Sequence, residues 1–216
     1  NIILEQIVFG ETLLSLGVNN PPSKVVQINT QTVKDFEAME GVKAVTPLAS
    51  FPALITIDGL TGNTFLQGAE PAYFRYTGAA ASAGDLFVEG EDAKNADGVI
   101  LTKAVLKLFG IEKPEDAIGK SVTFRIFVPK EGTDQSEEIA IEKAYKVVAI
   151  TKEENSIAAM LLLSELASHV NITTYEKAQV RVIKSDLLDQ VSGEIVKKGF
   201  VVTALSAGVD LLLVSY

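Results

Sequence analysis

One succession of elements is written twice in this chain, once near each end, and any fold has to accommodate both copies. Residues 24–29 read as a strand. Thr32, with Asp35 three residues on, has the spacing of a capping box, and Val33, Phe36 and Met39 then share one helical face until Gly41 stops it. Residues 42–48 are the next strand. Near the other end residues 179–183 read as a strand, Ser185 as an N-cap, and Leu187, Leu188, Val191, Ile195 and Val196 as a helical face. Gly199 stops that helix before the strand 200–204. Two βαβ units at opposite ends predict an α+β fold in which a discontinuous α/β subdomain is built from both termini. The residues between them then form an inserted subdomain.

The insertion is rich in strand signals. Residues 53–58 either pair back on 42–48 across 49–52 or lead away from it, and 64–68 is a further strand. Val99, Ile100 and Leu101 form a short apolar run, with Thr102 placed to cap a helix whose face is Ala104, Val105, Leu108 and Phe109. Gly110 closes it, Pro114 prevents its restart, and Ile118-Gly119-Lys120 turns the chain into 121–128. There Val122, Phe124, Ile126 and Val128 alternate as strand residues do. With 139–150 this makes a hairpin whose polar tip, 129–138, projects. Residues 158–163 read as a buried strand and 164–168 as a helical turn.

Charge and composition remove several classes of function. The 216 residues carry 28 acidic and 19 basic side chains, a net −9, so the phosphate-neutralising surface of a nucleic-acid binder is missing. Without cysteine the sequence has no disulfide, zinc-thiolate or thiol-nucleophile chemistry. No run reaches the eighteen or so apolar residues of a spanning helix. The opening 1–18 comes nearest but is interrupted by Glu5, Gln6 and Glu11. It reads as an amphipathic helix on the domain's own core or as the outer end of a membrane helix, and the chain reads as a fragment with its natural flanks removed.

Candidate chemistry is sparse. Asp85, Glu89, Glu91 and Asp92 are the place to look for paired carboxylates or a hard cation, yet Leu86, Phe87 and Val88 stand where an EF-hand loop needs oxygen ligands. His169, the sole histidine, has no Gly-x-Ser-x-Gly partner and reads as a surface residue at a helix end. Gly119-Lys120-Ser121 lacks the glycine that a phosphate-binding loop requires five residues earlier, since position 114 is Pro. Tyr73, Phe74 and Tyr76 suit either a core anchor or a platform for a glycan or peptide. No catalytic, cofactor or metal residue is assigned.

Several pieces, in order, carry a resemblance. They are Gln67-Gly68-Ala69-Glu70-Pro71-Ala72-Tyr73-Phe74, Gly84-Asp85-Leu86-Phe87 followed by Asp92, and Val99-Ile100-Leu101-Thr102. Leu108-Phe109-Gly110, Ile118-Gly119-Lys120-Ser121-Val122 and Tyr145-Lys146-Val147-Val148-Ala149-Ile150 complete the series. Together they resemble the extracytoplasmic core domain of MacB/FtsX-like ABC transporter permeases, a group that includes the lipoprotein-releasing LolC/LolE-type permeases. The resemblance implies a non-catalytic domain, without cofactor, set between the first two transmembrane helices of its permease on the periplasmic or extracellular side. It would couple movement of those helices, driven by a cytoplasmic ABC ATPase, to export or release of a lipoprotein, peptide or small molecule.

Its implied partners are the rest of the permease, that ATPase, an extracytoplasmic adaptor or substrate protein, and a second copy in a dimeric transporter. The expected boundaries are 1–20 for a helix continuing from the membrane, 24–58 plus 157–207 for the membrane-proximal subdomain, 59–156 for the insertion, and 208–216 for a lead-in to the next membrane helix. Partner contact is expected at Pro129, Lys130, Asp134 and Gln135. The alternatives are a free-standing extracellular binding module for peptide or glycan, and a hydrolase using the carboxylates of 85–92.

Overall fold

A computed structural model describes residues 26–77, 79–204 and 211–216. The opening helix expected over 1–20 lies outside them. Among the described residues no helix is long and apolar enough to cross a membrane. The chain divides into two units: residues 1–47 with 173–216, and 48–172. The expected limits, 58/59 and 156/157, therefore fall inside the second unit. Residues 48–58 and 157–172 belong with the insertion, because they are hydrogen-bonded or packed to strands of that unit.

In the first unit β1 (Ile28–Asn29) leads into α1 (Thr30–Glu37). Asn29, not Thr32, is the N-cap: its Oδ1 accepts from the Thr32 N–H at 2.9 Å, and Thr32 Oγ1 accepts from the Asn29 N–H at 3.2 Å. Asn caps a helix as well as Ser or Asp does, so the box closes one turn earlier than Thr32 and Asp35 suggest. The long strand β2 (Val42–Ile57) follows and gives its first six residues to this unit.

The remainder comes from the C-terminal part: β9 (Thr174–Tyr175), β10 (Lys177–Val182), α6 (Leu188–Lys197), β11 (Val201–Ala204) and β12 (Leu211–Ser215). Strand β12 lies between β10 and β11, antiparallel to both, so β10–α6–β11 is a βαβ unit split by a third strand. The order is β11-β12-β10-β2. The first strand departs from the expected grammar. Two residues long, β1 pairs antiparallel with β9 in a separate ribbon instead of lying in one sheet with β2.

The apolar close of the chain, expected to lead toward a membrane helix, is the strand β12, with Leu211, Leu212 and Val214 buried. Its apolarity is accounted for by a position between two strands. Both termini contribute to one core: Ile28 and Phe36 pack with Val180, Val191, Ile195, Phe200 and Val214. Phe36 meets Phe200 edge-on at 5.4 Å, a contact worth about 0.5–1.5 kcal/mol beyond the area it buries.

In the second unit β2 continues straight through Ala49, Ser50, Phe51 and Pro52, where the sequence admits a turn. Pairing with β3 (Leu60–Ala69) begins at Leu48, and pairing with β6 (Ser121–Pro129) begins at Ala53. Pro47 and Pro52 thus each sit where a neighbouring ladder ends, the place at which a strand tolerates a residue lacking N–H. The other elements are α2 (Pro71–Tyr76), β4 (Ala81–Gly84), α3 (Asp92–Asn95), β5 (Gly98–Thr102), α4 (Lys103–Leu108), β7 (Ser136–Thr151), β8 (Ala158–Leu162) and α5 (Leu163–Ala167).

Their pairings close on themselves. Strand β2 pairs β3, β3 pairs β8, β8 pairs β5, β5 pairs β7, β7 pairs β6, and β6 returns to β2. This is the hydrogen-bond circuit of a six-stranded barrel. Strand β4 adds to the far part of β7. The thinnest seam is β5–β8, paired only at Ile100–Met160 and Leu101–Ala159. Thr102 reinforces it: its hydroxyl makes no cap bond to α4 but accepts from the buried Ala158 N–H at 3.2 Å. On the outside of the strands Phe74, Phe87, Ile100, Met160 and Leu162 form a second core beneath α2.

Candidate functional site

The hairpin β6–β7 is fastened over part of its length only. From Val122 to Ile126, β6 is paired on both sides, to β2 and to β7. Beyond Ile126 the pairs Phe127–Glu138, Val128–Glu137 and Pro129–Ser136 hold β6 to β7 alone. The loop past them is ordered by its own backbone. Lys130 N–H donates to Gln135 O at 2.9 Å, and Thr133 N–H to Lys130 O at 3.1 Å. Thr133 Oγ1 accepts from the Gln135 N–H at 3.2 Å, and Gly132 takes φ +76°. Pro129, Lys130, Asp134 and Gln135 are all exposed on this tip. The structure brings the four together on one small, self-closed loop. Lower on the stem Arg125 and Glu138 face each other across the two strands at 2.6 Å.

Farther along β7 the environment inverts. Tyr145 is wholly buried, and its hydroxyl lies 2.9 Å from Glu165 Oε1 and 2.9 Å from His169 Nε2. Lys143 Nζ donates to the same Glu165 oxygen at 2.9 Å and reaches Asp97 Oδ1 at 2.9 Å. Burial works against the Glu165 charge, but hydrogen bonds from Lys143 and Tyr145, the Lys143 charge and a bond from His169 together hold its carboxyl below its ordinary value. Lys143 is raised, first by its hydrogen bond to Glu165 and then by that to Asp97. Burial, then the Glu165 carboxylate, pushes the Tyr145 phenol far up, so it stays protonated.

His169 is therefore no free surface residue. The signals that locate this cluster are Tyr145 at an inward position of an alternating strand, where its hydroxyl needs a partner, and Glu165 with His169 at i,i+4.

The acidic turn divides into separate contacts. Glu89 pairs with Arg75, and Glu91 lies 3.7 Å from Lys94. Asp85 donates its backbone N–H to Val148 O at 3.1 Å, and Asp92 starts α3. Among the described residues no three metal-capable side chains gather. Phe74 is a core anchor, edge-on to Tyr73 at 6.1 Å and to Phe87 at 6.0 Å, so its ring is not open for stacking.

Comparison with known proteins gives one family. The model of the MacB-like periplasmic core domain matches residues 4–198. Among solved structures the fold is similar to the periplasmic region of MacB from Actinobacillus actinomycetemcomitans, at TM-score 0.59 and 16% identity over 92% of this chain and 84% of that one. It is also similar to the extracellular domain of the noncanonic ABC-type transporter YknZ from Gram-positive bacteria, at TM-score 0.57 and 17% identity over 82% of each chain. No curated protein matches the sequence.

Proposed function

The chain belongs to the MacB-like periplasmic core domain family, and from that membership we propose that it is the extracytoplasmic domain of an ABC transporter permease that couples movement of membrane helices to export or release of a substrate. The match over 4–198 carries this reading. What supports the mechanical part is the shared core of the first unit: chain from before residue 47 and chain from after residue 173 are fastened to each other there. A displacement arriving through either end is then delivered to one body rather than to a loose tail.

In this reading the domain stands on the periplasmic or extracellular side, and its work is mechanical rather than catalytic. It acts with the rest of its permease, a cytoplasmic ABC ATPase, a second copy of the permease, and an extracytoplasmic adaptor or substrate protein. The β6–β7 tip is the contact for that last partner. Pro129, Lys130, Asp134 and Gln135 are exposed, and the loop that presents them is closed by bonds of its own, so little ordering is lost on docking. Lipoprotein, peptide and small molecule remain the candidate cargoes.

The test is site-specific photo-crosslinking from positions 130 and 134 in the full-length permease, with positions 85 and 92 as controls. Crosslinks to a second extracytoplasmic protein from the tip alone, dependent on ATP turnover, are expected. Equal crosslinking from 85 and 92 would remove the tip from the mechanism. A full-length gene without membrane helices on either side would remove the transporter reading altogether.

A further inference from the structure

The chain passes between its two units twice, once inside β2 and once at 172/173. The first passage is a paired strand. The second follows α5 through residues 168–173, which are turn and irregular backbone. Among the contacts that hold α5 and its continuation within the second unit, two stand out. One is apolar: Leu166 lies so close over Gly68 of β3 that a Cβ there would come within 2.8 Å of it. The other is the polar cluster around Tyr145.

We propose that Glu165, Tyr145 and His169 form a latch that fastens residues 163–172 to β7 and so fixes where the chain leaves the second unit. Proton placement within it is determined by the chemistry of its members. An ionised carboxylate only accepts, so the Tyr145 O–H donates to Glu165. That leaves the phenolic oxygen as the acceptor toward His169, whose Nε2 must carry hydrogen. The charged and titratable groups facing His169 are Glu165 on its own segment, with Oε1 at 3.5 Å, and Tyr145 from β7. Lys143 on β7 and Asp97 before β5 complete the group through Glu165. Both the neutral Nε2–H tautomer and the imidazolium can make the bond, so the latch holds in either state of the histidine. It depends instead on the Tyr145 hydroxyl and the ionised Glu165. His169 and Tyr145 are positioning residues in this scheme, acting on the exit segment rather than on any ligand.

Hydrogen exchange of the 216-residue chain, together with imidazole nitrogen NMR, tests the latch. With His169→Ala, amides of residues 163–172 are expected to exchange roughly threefold to tenfold faster, the effect of losing one net hydrogen bond, while α6 and the β6–β7 tip stay unchanged. His169→Gln, which restores an N–H donor, is expected to recover much of the protection. The native histidine should show hydrogen on Nε2. Tyr145→Phe should repeat the alanine result; where it fails to fold, the two histidine variants and the tautomer decide. Native exchange over 163–172 in His169→Ala, acceleration spread evenly over the second unit, or hydrogen on Nδ1 alone would each overturn the proposal.

Discussion

Strand β7 begins in solvent and ends in the core, and its two halves show how one element serves two purposes. Its first residues pair with β6 only, on an exposed stem beneath a loop that closes on itself. Its later residues carry Tyr145, which lies opposite Val122 of β6 and shares its hydroxyl between Glu165 and His169, and from Lys146 on they pair with β5 and then β4. A side chain on the first half is largely exposed and has few neighbours in its own chain to answer to. One on the second half is answerable to its neighbours. The two halves should therefore respond to mutation with different observables, stability for one and association for the other.

The largest effect is expected at Gly84, which lies against the inner half. Its φ is +70°, and an added Cβ would stand 2.0 Å from the Val148 carbonyl oxygen, an overlap only a backbone shift can relieve. Gly84→Ala should cost more than about 3 kcal/mol, read as the denaturation midpoint, because overpacking adds to left-handed strain. Gly110→Ala, at φ +68° with nothing within 4 Å, isolates the strain alone and should cost about 1–2 kcal/mol. Equal losses at the two glycines would erase the distinction drawn for the inner half.

Next comes the thin β5–β8 seam. Thr102→Val leaves the buried Ala158 N–H without its acceptor and should cost about 1–3 kcal/mol, with exchange of β8 amides rising first.

Acid sharpens the comparison further. Because folding lowers the Glu165 pKa, its contribution is fully present above the unfolded value of 4.5 and fades as pH falls through the folded value. An acid titration of stability should lose this part in native protein and show no such part in Glu165→Gln. Smallest in stability are Lys130→Glu and Asp134→Lys on the tip, each within about 0.5 kcal/mol of native, while partner crosslinking from the intact permease falls. A tip variant that unfolds the domain would show the loop to be structural.

Much of this was legible in the sequence. Alternation located β6 and β7, an unbroken apolar run located β5 and β8, and glycines at 41, 110 and 199 marked helix ends that take positive φ. What stayed hidden depended on distance along the chain. Periodicity tells a strand which face is buried but not which neighbour it takes, so neither the pairing of β1 with β9 nor the closing of β6 onto β2 could be read. Thr102 looked like a cap because its local pattern is that of a cap, and its true partner is 56 residues away. The Tyr145 cluster likewise joins residues 20 and 24 positions apart. At the C-terminus the apolar residues of 211–215 are those of a sheet interior, a strand that composition alone did not reveal.

Six strands of the second unit, joined each to the next until the last meets the first, behave under load unlike an open sheet. An open sheet peels from its outermost member one rung at a time. A closed girdle offers no such starting point, so a tug on any one strand is divided as shear among all the ladders. A lobe made this way can be shifted through many cycles and deform little, with first yielding expected at the seam that Thr102 clasps.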